Sequence, residues 1–583
     1  MSFQTADYVI FGCTLGISAA IGIYFRFSGG QQKTNEEYLV GDRKQNPLLV
    51  AISLMSTFMS AVSMLGGASE AYNYGTSFFV LNLGFLIGIC LGLITFVPVF
   101  YNLKCFSVYT YLELRFGSTI RFFVSIAFVL QMLLYGSIAL AAPAMALQTV
   151  TNMSNPQAIL IVGLVCTFYA TIGGMKTIIF TDLFQSVLMF GALFSIIYTG
   201  LNNFGGFSNI LDIAQKNGRI DFTNFSMDVT VRHTWFSTIF GGVMNALFLK
   251  GINQVQIQRY MSMKNYRNIV LSALISWPLI TLLSFTSCFC GLIVFAKYEH
   301  CDPLQLKRIS ANDQLLPLYV LDTFKGTGLT GIFVSGIFSA SLSTISPLLN
   351  SLAAVTLEDY VKPLLKYYTG KKIEMRSSFI TQIFAAVFGI SCVLISLLAL
   401  RMNSILQASV IVFSVVGGPV VGVFSLGMFT SGANEMGSLI GFIVGIVSCS
   451  WLAVGKPKPE IVRLPTYTDN CNFTLPAIST ISGNVTETKI EYPFAYRISY
   501  MFYSFIGFFL TFAIGYVFSL LIPDKSEKKK IDSRLFIKPV ASRIAKTNTF
   551  SSDNNITLNS TIALDRNEEL IYHWQSSDEK SMN

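Results

Sequence analysis

Two apolar stretches of this chain carry rows of hydroxyl groups at depths where a bilayer-crossing segment ordinarily has Leu, Ile, Val or Phe. In the first, Ser53, Ser56, Thr57, Ser60 and Ser63 fall on successive helical turns ahead of the Gly66-Gly67 pair. In the second, Ser339, Ser343 and Ser346 recur at helical spacing with Thr344 beside them, lining one helix face with oxygens. A polar group inside a membrane costs free energy unless it is satisfied, so such rows point to oxygens with a use. Neutral hydroxyls and backbone carbonyls suit a hard monovalent cation that must load and then leave, and glycines that release a helix would expose the carbonyls. From these residues alone two bland alternatives stay open: hydroxyls that bond back to their own helix, and glycines that serve close packing.

A third stretch, WFSTIFGGVMNALFLKGINQVQIQRY, is interrupted in the same way by Gly241-Gly242 and Gly251. Interrupted segments at corresponding positions of two halves point to a transporter built from inverted repeats, with its binding site near the midplane. Two charges lie at membrane depth. Asp182 stands one to two turns into the segment that opens YATIGGMKTIIFTDLFQ, with Gln185 one turn on and Lys176 at the inner edge. The carboxylate either attracts the cation on its inner path or is hydrated or paired with Lys176. Lys250 lies about 15 residues, roughly 22 Å, into a span that crosses some 30 Å of hydrocarbon. Its ammonium either pairs with an anion, or snorkels to the inner surface or meets a local carbonyl.

The elements that must position these groups follow from composition. Of 583 residues, 12% are charged and 52% hydrophobic; soluble domains carry about 25% charged residues, so a soluble multidomain enzyme is excluded. Apolar runs near 20 residues recur, which predicts an all-α integral membrane protein rather than a barrel. Thirteen spans are expected, at 8–26, 47–69, 77–101, 121–149, 157–173, 176–201, 235–257, 267–296, 327–355, 378–400, 404–429, 435–455 and 494–522. The first has no basic residue ahead of it and no cleavage site behind it, and reads as a retained span. Lys and Arg favour the loops that face inward when the N-terminus is outside and the C-terminus cytoplasmic, so the net charge of +9 belongs to topology and not to nucleic acid. Most cysteines lie inside apolar runs without zinc-site spacing, and the three histidines are scattered, so neither an enzyme nor a bound cofactor is expected.

The outer loops of this scheme hold the glycosylation sequons at Asn224, Asn472 and Asn484. They also hold Cys301 and Cys471, as a disulfide or as two free thiols. The tail 523–583 is polar, opens on Lys528-Lys529-Lys530, and reads as disordered, with the basic run meeting the anionic lipids of the inner leaflet.

The strings EEYLVGDR, FMSAVSMLGGASEAYNYG, YATIGGMKTIIFTDLFQ, GINQVQIQRY, CDPLQLKRISANDQLLPLYVLDTF and LSTISPLLNSLAAVTLEDYVKP extend over nearly the whole chain. As a set they resemble the sodium/solute symporter family, and within it the branch of iodide, monocarboxylate and multivitamin symporters. The resemblance implies about 13 transmembrane helices and a five-plus-five inverted-repeat (LeuT-type) core working by alternating access. The expected division is an extracellular N-terminus and first span at 1–26, a ten-span transport core at 47–429, two last spans at 435–522 with an outer loop at 456–493, and the tail. Carried over residue by residue, the Na+ site would use the carbonyls of Ser56, Met59 and Ala340 and the hydroxyls of Ser343 and Thr344. Asp182 and Gln185 match the string associated with the inner Na+ path.

Departures from the pattern concern the solute. Ser63 stands where sugar and iodide carriers have an amide, Pro347 where a small polar residue is usual, and Lys250 where the position is usually aromatic or neutral. Ser63, Asn245 and Lys250 are the substrate candidates. The expected function is plasma-membrane symport of Na+ with a small organic anion, a monocarboxylate or a carboxylated vitamin. The competing expectations are a carrier of iodide, inositol or sugar, and a symporter-like sensor that no longer transports.

Overall fold

The computed structural model describes residues 3–27, 39, 41–104, 106–151, 153–172, 174–324, 327–369, 378–399, 404–459, 461–469, 471, 492–522 and 532–544. Fifteen helices carry the argument. They are α1 (Thr5–Phe27), α2 (Pro47–Phe58), α3 (Ala61–Tyr74), α4 (Leu81–Thr95), α5 (Ser118–Val150), α6 (Asn155–Ile172), α7 (Met175–Phe204) and α8 (Trp235–Ala246). After these come α9 (Gln254–Tyr260), α10 (Tyr266–Tyr298), α11 (Leu329–Thr356), α12 (Ser378–Ala399), α13 (Ile405–Phe429), α14 (Glu435–Val454) and α15 (Tyr503–Leu521).

Local chemistry fixes many of the starts. Asn46 caps α2 ahead of Pro47, Thr234 forms a reciprocal capping box with Ser237 at α8, and Asn253, Ser404 and Asn434 cap α9, α13 and α14. Among the described residues eleven helices are long and apolar enough to cross a membrane, and the bent pair α2–α3 makes a twelfth span. The remaining expected span, 157–173, is α6, whose apolar part Pro156–Phe168 is shorter. Large apolar side chains such as Leu130, Phe168, Val187, Leu394, Val447 and Phe509 face outward, as lipid contact requires.

Two spans are discontinuous, the two that the sequence marks, but neither break falls on a glycine pair. The first lies at Met59 (φ −88°, ψ 85°) and Ser60 (φ −81°, ψ 173°), and α2 and α3 meet there at 59°. In the second, α8 runs into a π-turn over Leu247–Ile252, where the Asn253 amide reaches back five residues to the Phe248 carbonyl at 2.8 Å, and Asn253 restarts the chain as α9. Gly66-Gly67 therefore does not release the helix. The glycines allow close approach instead: a Cβ on Gly66 would stand 2.5 Å from the Leu406 Cβ, and one on Gly242 2.6 Å from the Leu81 carbonyl. Packing neighbours include α3 on α10, α4 on α8, α7 on α11, and α13 with α14 on α15. The hydroxyl-bearing α11 is enclosed almost completely.

Away from the core, Cys301 and Cys471 form a disulfide with Cα atoms 5.2 Å apart. It anchors a segment that crosses the end of α3, where Leu464 N–H donates to the Asn73 carbonyl and Arg219 donates to the Pro465 carbonyl. The tail is not disordered throughout. Leu535 and Phe536 are buried, Ile537 N–H donates to the Met428 carbonyl, and the Arg115 guanidinium lies 5.0 Å from the Phe536 ring centre. An apolar triplet inside a polar stretch is what docks, a feature that average composition conceals.

Where α10 meets α3, a Cβ on Gly291 would overlap the Ala68 carbonyl. Replacing Gly291 with Val is expected to cost about 1–3 kcal/mol through forced separation of the two helices, read as a lower melting temperature of the detergent-purified protein. Gly191, which has nothing within reach of a Cβ, should accept Ala without change.

Candidate functional site

The break at Met59–Ser60 sets the chemistry. In an uninterrupted helix the Ser56, Thr57 and Met59 carbonyls would accept from the amides of Ser60, Ala61 and Ser63. Instead the Met59 amide closes on Met55, and the next bonds run from Ser63 and Met64 to the Ser60 carbonyl. α11 supplies what the ladder lost. The Ser343 hydroxyl donates to the Ser56 carbonyl at 2.9 Å and to Ala340 at 3.1 Å, and the Thr344 hydroxyl to Thr57 at 3.2 Å and Ala340 at 3.0 Å. In return the Thr57 hydroxyl donates to the Ser343 carbonyl at 3.1 Å. The structure thus brings Ser56, Ala340, Ser343 and Thr344 into direct contact, all buried, with Met59 in the break beside them.

Next to this cluster lies a fully buried ion pair. Asp182 Oδ2 accepts from Ser53 Oγ at 2.5 Å, Arg259 Nη2 at 3.2 Å and Thr57 Oγ1 at 3.4 Å. Arg259 also donates to Ser53 and Thr57, at 2.8 and 2.5 Å. The partner of Asp182 is therefore Arg259 on α9, not Lys176. Asp182 Oδ1 and both amide atoms of Gln185 are buried without a hydrogen-bond partner among the described residues, so the α7 edge of the cluster keeps unused acceptors.

A cavity of about 140 Å³ opens on the other side of the break. It is lined by Ser60 and Ser63 at the break, Tyr135 of α5, Asn245 of α8, Gln256 of α9 and Ser287 of α10, with Phe58, Phe78, Phe85, Leu406 and Phe413 as apolar walls. Among its described lining residues none is charged. Two of the three substrate candidates, Ser63 and Asn245, line it; Lys250 does not. The Lys250 ammonium is buried, donating to the Leu54 carbonyl at 3.1 Å and to Gln256 Oε1 at 3.5 Å, and lies 4.8 Å from the centre of the Phe58 ring.

A second charged cluster ties the far end of α3 to its surroundings. Arg232 bonds Glu70 at 2.7 and 3.0 Å, reaches Gln407 of α13 at 3.3 Å, and stacks over Tyr74 at 4.2 Å and Tyr500 at 5.0 Å. His233 Nε2 is 3.0 Å from the Tyr500 hydroxyl. Burial, and then the Arg232 charge, hold the His233 imidazole well below the usual histidine range, so it is neutral and leaves the Glu70 carboxylate to Arg232.

Of the sequon asparagines, Asn224 is half-buried in the loop before α8, where its carbonyl accepts from the Trp235 amide at 3.0 Å; Asn472 and Asn484 lie outside the described residues. Sequence reasoning missed Arg259 and the Glu70–Arg232 pair. A buried acid demands a counter-charge, and Arg259 stands two residues past the expected end of its span; that demand was the available signal.

The profile of the sodium:solute symporter family matches residues 38–445. A Drosophila melanogaster protein provisionally named a sodium-dependent multivitamin transporter is 43% identical, over 98% of this chain and 98% of its own length. The human sodium-coupled monocarboxylate transporter 1 is 37% identical, over 92% and 90%. The substrate-bound, outward-open structure of a Na+-coupled sialic acid symporter superposes with a TM-score of 0.73 at 22% identity, covering 89% of this chain and 99% of that one.

Removing Arg259 leaves Asp182 buried without its cation, and breaking such a pair typically costs 3–5 kcal/mol. Arg259→Met is therefore expected to lower surface expression and melting temperature strongly, and Arg259→Met with Asp182→Asn to recover much of the loss. A double variant no better than the single would mean that the two charges are not coupled.

Proposed function

Because this chain belongs to the sodium:solute symporter family, we propose that the α2–α3 break and α11 together hold the transported Na+, and that the adjoining cavity holds a small organic anion. The protein is a multi-pass plasma-membrane symporter with Na+ as its co-transported ion, and not an enzyme. The observation that carries the Na+ reading is the set of Ser343 and Thr344 hydroxyls resting on the Ser56, Thr57 and Ala340 carbonyls. Without the ion, hydroxyl protons occupy carbonyl lone pairs. A cation arriving between them takes the same lone pairs and turns the hydroxyl oxygens toward itself, so loading swaps one set of contacts for another and draws α2 and α11 together. The Met59 carbonyl completes the set from the break. Asp182 and Gln185 lie on the side from which the ion leaves, and the unused acceptors there suit a partly dehydrated cation.

The anion reading rests on what the relatives are named for and on a cavity that offers hydroxyl and amide donors and, among its described lining residues, no carboxylate. A monocarboxylate or a carboxylated vitamin would set its charged end on Ser60, Ser63 and Asn245 and its apolar body against the Phe walls. Each inward charge crossing 100 mV supplies about 2.3 kcal/mol, so more than one Na+ must accompany an anion for strong electrical drive. The N-terminus faces outside and the C-terminus the cytoplasm: a disulfide forms in an oxidising compartment, and Cys301 and Cys471 stand where that orientation makes them extracellular.

In voltage-clamped cells, an inward current should require both Na+ and a carboxylated solute among lactate, nicotinate, biotin, pantothenate, iodide, inositol and glucose. A current with iodide or glucose alone would reassign the solute. Silence, with tracer uptake also absent and surface expression intact, would mean a sensor. Ser343→Ala with Thr344→Ala should raise the half-saturating Na+ concentration about tenfold or more while leaving the protein at the surface.

A further inference from the structure

The charges around the break do not balance. Arg259 is matched by Asp182, whereas no carboxylate among the described residues lies within ion-pair distance of Lys250. A buried lysine met only by a carbonyl, an amide oxygen and a ring face holds its proton at a cost that a nearby anion would offset. Its surroundings place that charge between two sites. Phe58 and Gln256, which it touches, both line the cavity, so the charge stands one side-chain layer behind the cavity wall. Leu54, whose carbonyl it holds, precedes Ser56 on α2 by two residues and Met59 in the break by five. At a rise of about 1.5 Å per residue this puts the Na+ ligands on the order of 3–8 Å along the helix.

Resting on the proposal that the cavity holds an organic anion, we infer that Lys250 is the counter-charge of that anion without touching it, and that the same charge opposes Na+ binding until the anion arrives. A unit charge acting over roughly 8 Å at an effective dielectric constant of about 20 changes a binding constant on the order of tenfold or more. It favours the anion, penalises Na+ alone, and loses its hold on Na+ when the anion compensates it. Each ligand then raises the affinity of the other, as reciprocal linkage requires. A direct salt bridge is not part of this arrangement, so the field selects for charge while the cavity wall selects for shape. Lys250 acts through Phe58 and Gln256 and is a specificity-determining positioning residue.

The test uses the full chain in voltage-clamped cells, comparing wild type with Lys250→Met and Lys250→Arg. Nicotinate and lactate are each set against the primary amide, with half-saturating Na+ measured without solute from Na+-dependent charge movement. Lys250→Met should weaken the acids about tenfold, leave the amides unchanged, and lower the Na+ concentration needed without solute. Lys250→Arg, which keeps the charge, should retain wild-type values.

Weaker binding of acid and amide alike, or weaker binding of acid and Na+ together, would reduce Lys250 to a packing role and overturn the inference. So would an unchanged ratio of acid to amide. If Lys250→Met fails to reach the surface, the acid-to-amide ratio of Lys250→Arg decides alone: preserved supports the field, lost overturns it. Wild type that takes up neither acid would instead overturn the anion reading itself, a result distinct from an effect confined to the variants.

Discussion

A helix that stops at Met59 and restarts at Ala61 leaves backbone carbonyls unpaired inside a membrane protein, where no water stands ready to satisfy them. That debt organises the surrounding molecule. α11 must lie against the break with hydroxyls at the right turn, which is why Ser343 and Thr344 follow one another and why this helix is buried on all sides. α7 and α9 must then close the cluster from the other side, and they do so with the charged pair Asp182 and Arg259, bonded through Ser53 and Thr57 of the same interrupted span. A site made of exchangeable hydroxyl-to-carbonyl contacts is also one that can open again. Each bond is worth on the order of 1 kcal/mol net, far less than a fixed charge at the same place would cost to displace.

Much of this was legible in the sequence, and what was not has physical reasons. Rows of Ser and Thr at helical spacing singled out α2 and α11, which the structure joins through Ser343 and Thr344, because polar groups at membrane depth are rare enough to carry meaning. The Gly-rich strings flagged the right two spans; Gly251 lies in the π-turn itself, whereas the pairs Gly66-Gly67 and Gly241-Gly242 lie off the breaks. The chain leaves the helix at Met59–Ser60 and at a π-turn before Asn253, and the glycines sit where neighbouring backbones come close. A residue string cannot separate these uses, since both need a missing Cβ. Arg259 escaped notice because it follows the apolar run, and because pairing across 77 residues is a product of the fold. Lys250 was singled out as anomalous, yet its direction depends on the π-turn that contains it, which departs from the regular helical phase.

Two buried charged clusters flank the interrupted span, and they differ in kind. One is the Asp182–Arg259 pair, beside which Asp182 Oδ1 and the Gln185 amide have no hydrogen-bond partner among the described residues. The other, at the end of α3, is Arg232, spread over Glu70, Gln407, Tyr74 and Tyr500, with contributions from a loop, two spans and the turn before α15. Planar stacking and forked hydrogen bonds let one guanidinium hold four partners without being inserted into any of them. Its neighbour His233 is held neutral, so this cluster rests on one charged pair rather than on a titrating network.

The disulfide between Cys301 and Cys471 links residues 170 positions apart and makes the segment around Leu464 a tether. One end is fixed just beyond α10, the middle is hydrogen-bonded to Asn73 at the tip of α3, and Arg219 grips it from a third side. α3 and α10 are the same two helices that pack glycine to backbone lower down. Joined at depth by close contact and at the tip by a covalent loop, they form one lever arm. Any displacement of α3 must therefore be shared with α10 and the tether, and α2 is tied in as well, since it packs on α10, α7 and α11.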